Sequence, residues 1–66
     1  MHLTLNGRPH DHRGDGSLAA LLAELRADPV RVAVMINGNV ITRDRRAEAR
    51  LAEGDVVEVL TLAGGG

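Results

Sequence analysis

The chain has no cysteine, no phenylalanine, tyrosine or tryptophan, and no lysine. Without cysteine, no disulfide staples it and no thiolate serves as nucleophile or zinc ligand. Without aromatics, single-stranded nucleic acid has no stacking platform and cationic ligands have no cage. Without lysine, there is no side-chain amine for Schiff-base chemistry or isopeptide attachment; all eight basic residues are arginine. An excess of one charge is also lacking. The formal net charge is −1, which argues against binding a phosphate backbone. No apolar run approaches the ~20 residues of a membrane helix, and no signal-peptide pattern opens the chain, so the expected location is the cytoplasm.

What is present suits one small folded domain. Sixty-six residues with a hydrophobic fraction of 44% are too apolar for intrinsic disorder. A chain this short buries only about 60% of its unfolded surface, so stability is marginal. His2-Leu3-Thr4-Leu5 alternates as a half-buried strand, and Asn6-Gly7 is a hairpin turn signal. The return strand, Arg8 to Arg13, is polar and contains Pro9, which cannot donate to a ladder and belongs at a sheet edge. Ser17 is a candidate N-cap, and Leu18, Leu21, Leu22 and Leu25 make one helical stripe, with the helix ending near Ala27 ahead of Pro29. Val30 to Ile36 reads as an interior strand, with Met35 a packing residue. Asn37-Gly38 is a second hairpin turn, and Val40-Ile41 a short return. Thr42 to Ala52 reads as a turn or short helix, and Val56 to Leu62 is the clearest strand. Strand, strand, helix, strand, strand, strand, with the last strand beside the first, describes an α+β, ubiquitin-like β-grasp roll. It has a mixed five-stranded sheet and one helix on one face. The domain spans residues 1–62, and a flexible glycine tail spans residues 63–66.

No catalytic constellation is evident. His10 and His12, with His2 across the hairpin, have a spacing that can hold a metal, but no clear further ligands follow, so a solvated edge strand is expected and no metal site. Arg43, Arg45 and Arg46 are expected to be a solvated surface stretch with local ion pairs beside Asp44 and Glu48. Two features carry function. The first is Gly64-Gly65-Gly66. With glycine near 7% of average usage, three in succession at a chosen place is an accident of about 0.03%. A terminal carboxylate used as a substrate must enter another protein's active site, and glycine has no Cβ to block a narrow channel. The carboxylate needs activation, yet the chain has no phosphate-binding loop, so it is the substrate of a separate activating enzyme. The second feature is strand parity. If Glu58 faces solvent, Val57 and Val59 face the core, and Val56, Leu60 and Leu62 face outward beside the tail as a partner contact.

These segments together resemble the ThiS family of sulfur carrier proteins, used in making the thiazole ring of thiamin. Leu3-Thr4-Leu5-Asn6-Gly7 is similar to the family's first strand and turn, Ser17 to Leu25 to its helix, and Val32-Ala33-Val34 through Val40-Ile41 to its central hairpin. Thr42 stands where the family often has proline before the arginine matched by Arg43. Leu51, then Gly54-Asp55-Val56-Val57-Glu58-Val59, and the ending Ala63-Gly64-Gly65-Gly66 complete the likeness. The resemblance implies a carrier and not an enzyme. An E1-like adenylyltransferase would activate the Gly66 carboxylate with MgATP. Sulfur from a cysteine desulfurase or another persulfide donor would then leave a terminal thiocarboxylate, which is passed to thiazole synthase. Leu60, Leu62, Ala63, Gly64 and Gly65 would contact partners, and no cofactor would be bound permanently. The small subunit of molybdopterin synthase is the nearest alternative, and a ubiquitin-like protein modifier the next. The first is usually longer and carries aromatics near its tail.

Overall fold

The structure, a computed structural model, describes residues 1–62; the four-residue tail expected from the sequence lies outside them. In chain order the elements are β1 (His2–Leu5), β2 (Arg8–Asp11), α1 (Leu18–Glu24), β3 (Val32–Ile36), β4 (Asn39–Ile41), a 3₁₀ turn (Arg43–Arg45) and β5 (Val56–Thr61). The sheet order is β2-β1-β5-β3-β4, with β1 parallel to β5 and every other neighbour antiparallel. This is the β-grasp arrangement. The crossover from the first hairpin carries α1, whose apolar stripe covers one face of the sheet. Leu18 and Leu21 are fully buried there with Leu22, against Leu3, Val32, Val34 and Val57. Leu5, Leu25, Ile36 and Val59 pack half-buried around them. Leu51 joins the core from the irregular stretch before β5, which the sequence pattern did not mark.

Five boundaries differ from the sequence reading, two of them by one residue: β4 starts at Asn39, not Val40, and β5 ends at Thr61, not Leu62. The return strand β2 stops at Asp11, two residues before Arg13, although Pro9 does sit in an edge strand as its missing N–H requires. The third strand starts at Val32, because Asp28 Oδ1 accepts from the Val30 N–H at 2.9 Å and holds residues 28–31 in a turn. The helix ends at Glu24, well before Pro29. Leu25 is its C-cap and Arg26 follows with φ 54°. The Arg26 N–H donates to the Ala23 carbonyl and the Ala27 N–H to the Leu22 carbonyl, both near 3.0 Å. That is the Schellman closure, in which the left-handed position is usually glycine. An arginine there costs on the order of 1 kcal/mol, since its Cβ crowds the following carbonyl.

Both Asn-Gly turns do more than reverse the chain. Asn6 and Asn37 each take φ 50°, within the left-handed region that asparagine tolerates. Their side chains then bond to the central strand. Asn6 Nδ2 donates to the Val59 carbonyl at 3.1 Å and its Oδ1 accepts from the Val59 N–H at 2.9 Å. Asn37 Oδ1 accepts from the Val56 N–H at 2.9 Å. Each amide extends the sheet ladder along β5 where a backbone partner has turned away, which leaves fewer strand groups unpaired.

Candidate functional site

Residues of β5 alternate across the sheet. Val57 is fully buried, whereas Val56, Leu60 and Leu62 are 47%, 55% and 49% exposed. The register explains the outer face. Leu60 lies opposite Ala33, Glu58 opposite Met35, and Met35 opposite Val40, which is itself 67% exposed. So Met35 belongs to this outer face and not to the core beneath α1. Together these side chains form an apolar band across the sheet with Glu58 set into it. Exposed apolar bands of this kind commonly mark contact surfaces. The Leu62 N–H donates to the Arg31 carbonyl at 2.7 Å, which ties the chain to β3 one residue past the end of β5. Leu60 and Leu62 therefore lie at the carboxyl-terminal end of the described residues; Ala63, Gly64, Gly65 and Gly66 lie outside them.

His2 is exposed as expected of an edge, but His10 and His12 are not solvated. The two-residue turn sets Leu3 opposite His10, so His10 and then His12 face inward, toward α1. His12 is 2% exposed. Glu24 Oε1 takes His10 Nε2 at 3.0 Å and His12 Nδ1 at 2.9 Å, and Glu24 Oε2 accepts from the Arg13 N–H at 2.8 Å. The Gly16 N–H donates to His12 Nε2 at 3.0 Å. That nitrogen must therefore be the unprotonated one, and Nδ1–H donates to Glu24. Gly14 permits the seating, since a Cβ there would come within 2.7 Å of the His12 ring. A metal on His12 Nδ1 would need the proton on Nε2, where the Gly16 N–H already points. Among the described residues no group of His, Asp and Glu is arranged to hold a metal. The cluster ties β2 to α1.

It also sets an acid response. The bond from His10, then that from His12, holds the Glu24 carboxyl down to about 2, from an ordinary value of 4.5. A carboxyl with a lowered folded pKa contributes stability above its unfolded pKa and loses it as pH falls through the folded one. The melting temperature of the wild-type chain should therefore exceed that of Glu24→Gln at pH 6. The gap should close between pH 4.5 and 2. A gap of constant size across that window would show that the bonds from His10 and His12 to the carboxylate carry none of it.

The arginines also depart from the solvated stretch expected. Arg46 Nη1 and Nη2 donate to the carbonyls of Pro29 and Val32, both at 2.6 Å, and Arg43 donates to the carbonyl of Val30. These two guanidiniums satisfy the carbonyls of Pro29, Val30 and Val32 at the entry to β3. Arg45 remains exposed. No signal in the sequence pairs residue 46 with residues 29 and 32, because the contact depends on where the 3₁₀ turn crosses the end of the helix.

Comparison with known proteins places this geometry. The family model described as the ThiS family matches residues 3–66. A crystal structure of a thiamine biosynthesis protein (ThiS) from Geobacter metallireducens superposes with a TM-score of 0.82 at 36% identity, over the whole of both chains. A solution structure of a thiamine biosynthesis protein from the same organism gives 0.79 at 36% identity and covers 88% of that chain. Two thiazole synthases also match over all 66 residues, from Magnetococcus marinus at 38% identity and Paramagnetospirillum magneticum at 32%. The chain spans a fifth of the length of each of these two relatives.

Proposed function

The chain belongs to the ThiS family, and from that premise we propose that it is a sulfur carrier of thiamin biosynthesis, a protein co-substrate whose own residues catalyse nothing. The observation that carries the reading is the extent of the family match, which runs to residue 66 and so includes the glycine triplet. The Gly66 carboxylate is the carrier site. Its oxygen attacks the α-phosphorus of MgATP in an E1-like adenylyltransferase, pyrophosphate leaves, and an acyl adenylate remains. The terminal sulfur of a persulfide donor, such as a cysteine desulfurase, displaces AMP, and a thiol then cleaves the sulfur–sulfur bond to leave the thiocarboxylate. The acceptor is a thiazole synthase, a partner to which the likeness with two thiazole synthases points.

The residues support this division of labour. With no cysteine in the chain, sulfur cannot be held here as a side-chain persulfide. Four extended residues beyond Leu62 span at most about 14 Å, long enough to enter a recessed site while the domain stays outside. The apolar band with Leu60 and Leu62 supplies contact area next to that reach, and Ala63, Gly64 and Gly65 leave the entering backbone without bulk. The test is intact-protein mass spectrometry after incubation with an adenylating enzyme, ATP and a sulfur donor. The chain should gain the mass of one oxygen-to-sulfur exchange, localised by fragmentation to its last residue. Sulfur on any other residue, or attachment of the intact chain to lysines of other proteins instead, would overturn the reading.

A further inference from the structure

Resting on the reading that an adenylating enzyme takes the tail, we propose that Arg26 and Arg31 form a docking site for an acidic side chain on that adenylating enzyme, beside the mouth of its tail channel. Both arginines line a recess of about 390 Å³ between the end of α1 and the end of β5. Its floor is apolar, from Leu5, Leu25 and Val59, and Thr61, one residue before the end of the described chain, closes one side. An apolar floor under a cationic rim fits a side chain with an aliphatic stem and a carboxylate head, glutamate above all. The site is continuous with the tail exit, because the Arg31 carbonyl receives the Leu62 N–H.

Charge is segregated along the molecule in the same sense. Arg26, Arg31, Arg43 and Arg46 gather around residues 26–32 near the end of β5, with Asp28 the acid facing the recess. Arg45, Asp44 and Glu48 lie in and just after the 3₁₀ turn that carries Arg43 and is capped by Arg46, so cations still outnumber acids there. The Asp28 carboxylate is already engaged, by the Val30 N–H at 2.9 Å and by Arg31 Nε at 3.7 Å. Asp11, Asp15, Glu53 and Asp55 lie at the opposite end around Met1 and His2, with Arg13 and Arg50 among them. A near-neutral chain thus presents a positive pole where its tail emerges, and such a pole attracts an acidic surface and orients the encounter.

The backbone supplies the independent observation. Arg26 occupies a left-handed position that favours glycine, is exposed, and has no ion-pair partner among the described residues. It contributes nothing to the fold that glycine would not do better, and strain kept in this way concentrates at binding sites. Asp28 is the group that opposes it, and Arg31 is the group that offsets Asp28.

The experiment is ATP–pyrophosphate exchange by the adenylating enzyme of the same organism, with the full chain as the varied substrate at several salt concentrations. Arg26→Gly should melt about 4–8 °C higher than wild type. Combined with Arg31→Gln, it should raise KM for the carrier roughly tenfold at low salt, leave kcat within about twofold, and flatten the salt dependence of KM. Arg13→Gln with Arg50→Gln removes the same charge from the other pole and should leave KM unchanged. An unchanged KM for the tail-end pair, or an equal rise for both pairs, would overturn the docking site alone. Exchange absent with wild-type chain would overturn the sulfur-carrier reading, and the docking site with it.

Discussion

Removing Gly66 is expected to abolish thiocarboxylate formation, although it leaves a terminal carboxylate of the same chemical kind on Gly65. The shortened chain ends about 3.5 Å too early, one extended residue. Attack on the α-phosphorus needs reacting atoms within roughly 3–3.5 Å in a set orientation, so a shortfall of that size removes the near-attack geometry. The domain cannot move closer to compensate if its sheet face already rests on the enzyme through Leu60 and Leu62. A loss of at least a hundredfold in adenylation rate is therefore expected, the scale on which misplacement by even about 1 Å acts. Gly66→Ala keeps the length and adds one methyl group; it should slow the reaction less, in proportion to how narrow the channel is. Single-turnover adenylation followed by intact mass separates the two variants. Equal rates for the truncated and full-length chains would mean that the last residue is not the carrier site.

Leu21→Ala is expected to unfold a large share of the population at room temperature. Leu21 is fully buried between α1 and the sheet, and truncating such a leucine costs about 2–5 kcal/mol, part lost transfer energy and part residual cavity. A domain of this size has roughly 3–10 kcal/mol in total. Leu60→Ala removes the same atoms from the outer face, where the side chain is more than half exposed, and should move stability by less than about 0.5 kcal/mol. Urea denaturation of the two variants reads the difference directly. The outcome that defeats this account is a midpoint for Leu60→Ala as low as that for Leu21→Ala. The strand parity would then be wrong by one residue, and the apolar band would be core.

Much of the fold was legible because its signals are local. The leucine stripe of α1 repeats at the helical period, Asn6-Gly7 and Asn37-Gly38 sit where two-residue hairpin turns need left-handed backbone, and Pro9 marks an edge. The parity of β5 followed from a single charged residue, Glu58, in an apolar run. The inward histidines follow from register, against the polarity of their segment. A two-residue turn after Leu5 fixes Leu3 against His10, and a residue opposite a core leucine on the same face points into the core. The polarity of the segment points to solvent instead, and it is Glu24, 14 and 12 residues along the chain from His10 and His12, that supplies the partner their inward placement needs.

By itself the amino-acid order determined which segments form strands and helix, the buried stripe of α1 and the outer face of β5. Each of these depends on neighbours within a few positions, where backbone sterics and side-chain period act. The tertiary structure decided the rest: His12 buried under Glu24, Arg43 and Arg46 bound to the carbonyls of Pro29, Val30 and Val32, Leu51 drawn into the core, and Arg26 and Arg31 gathered beside the end of β5. Those pairings join residues far apart in the chain. They follow from the path of the crossover and the 3₁₀ turn across the sheet, because buried donors and acceptors must find partners wherever the packed elements happen to place them.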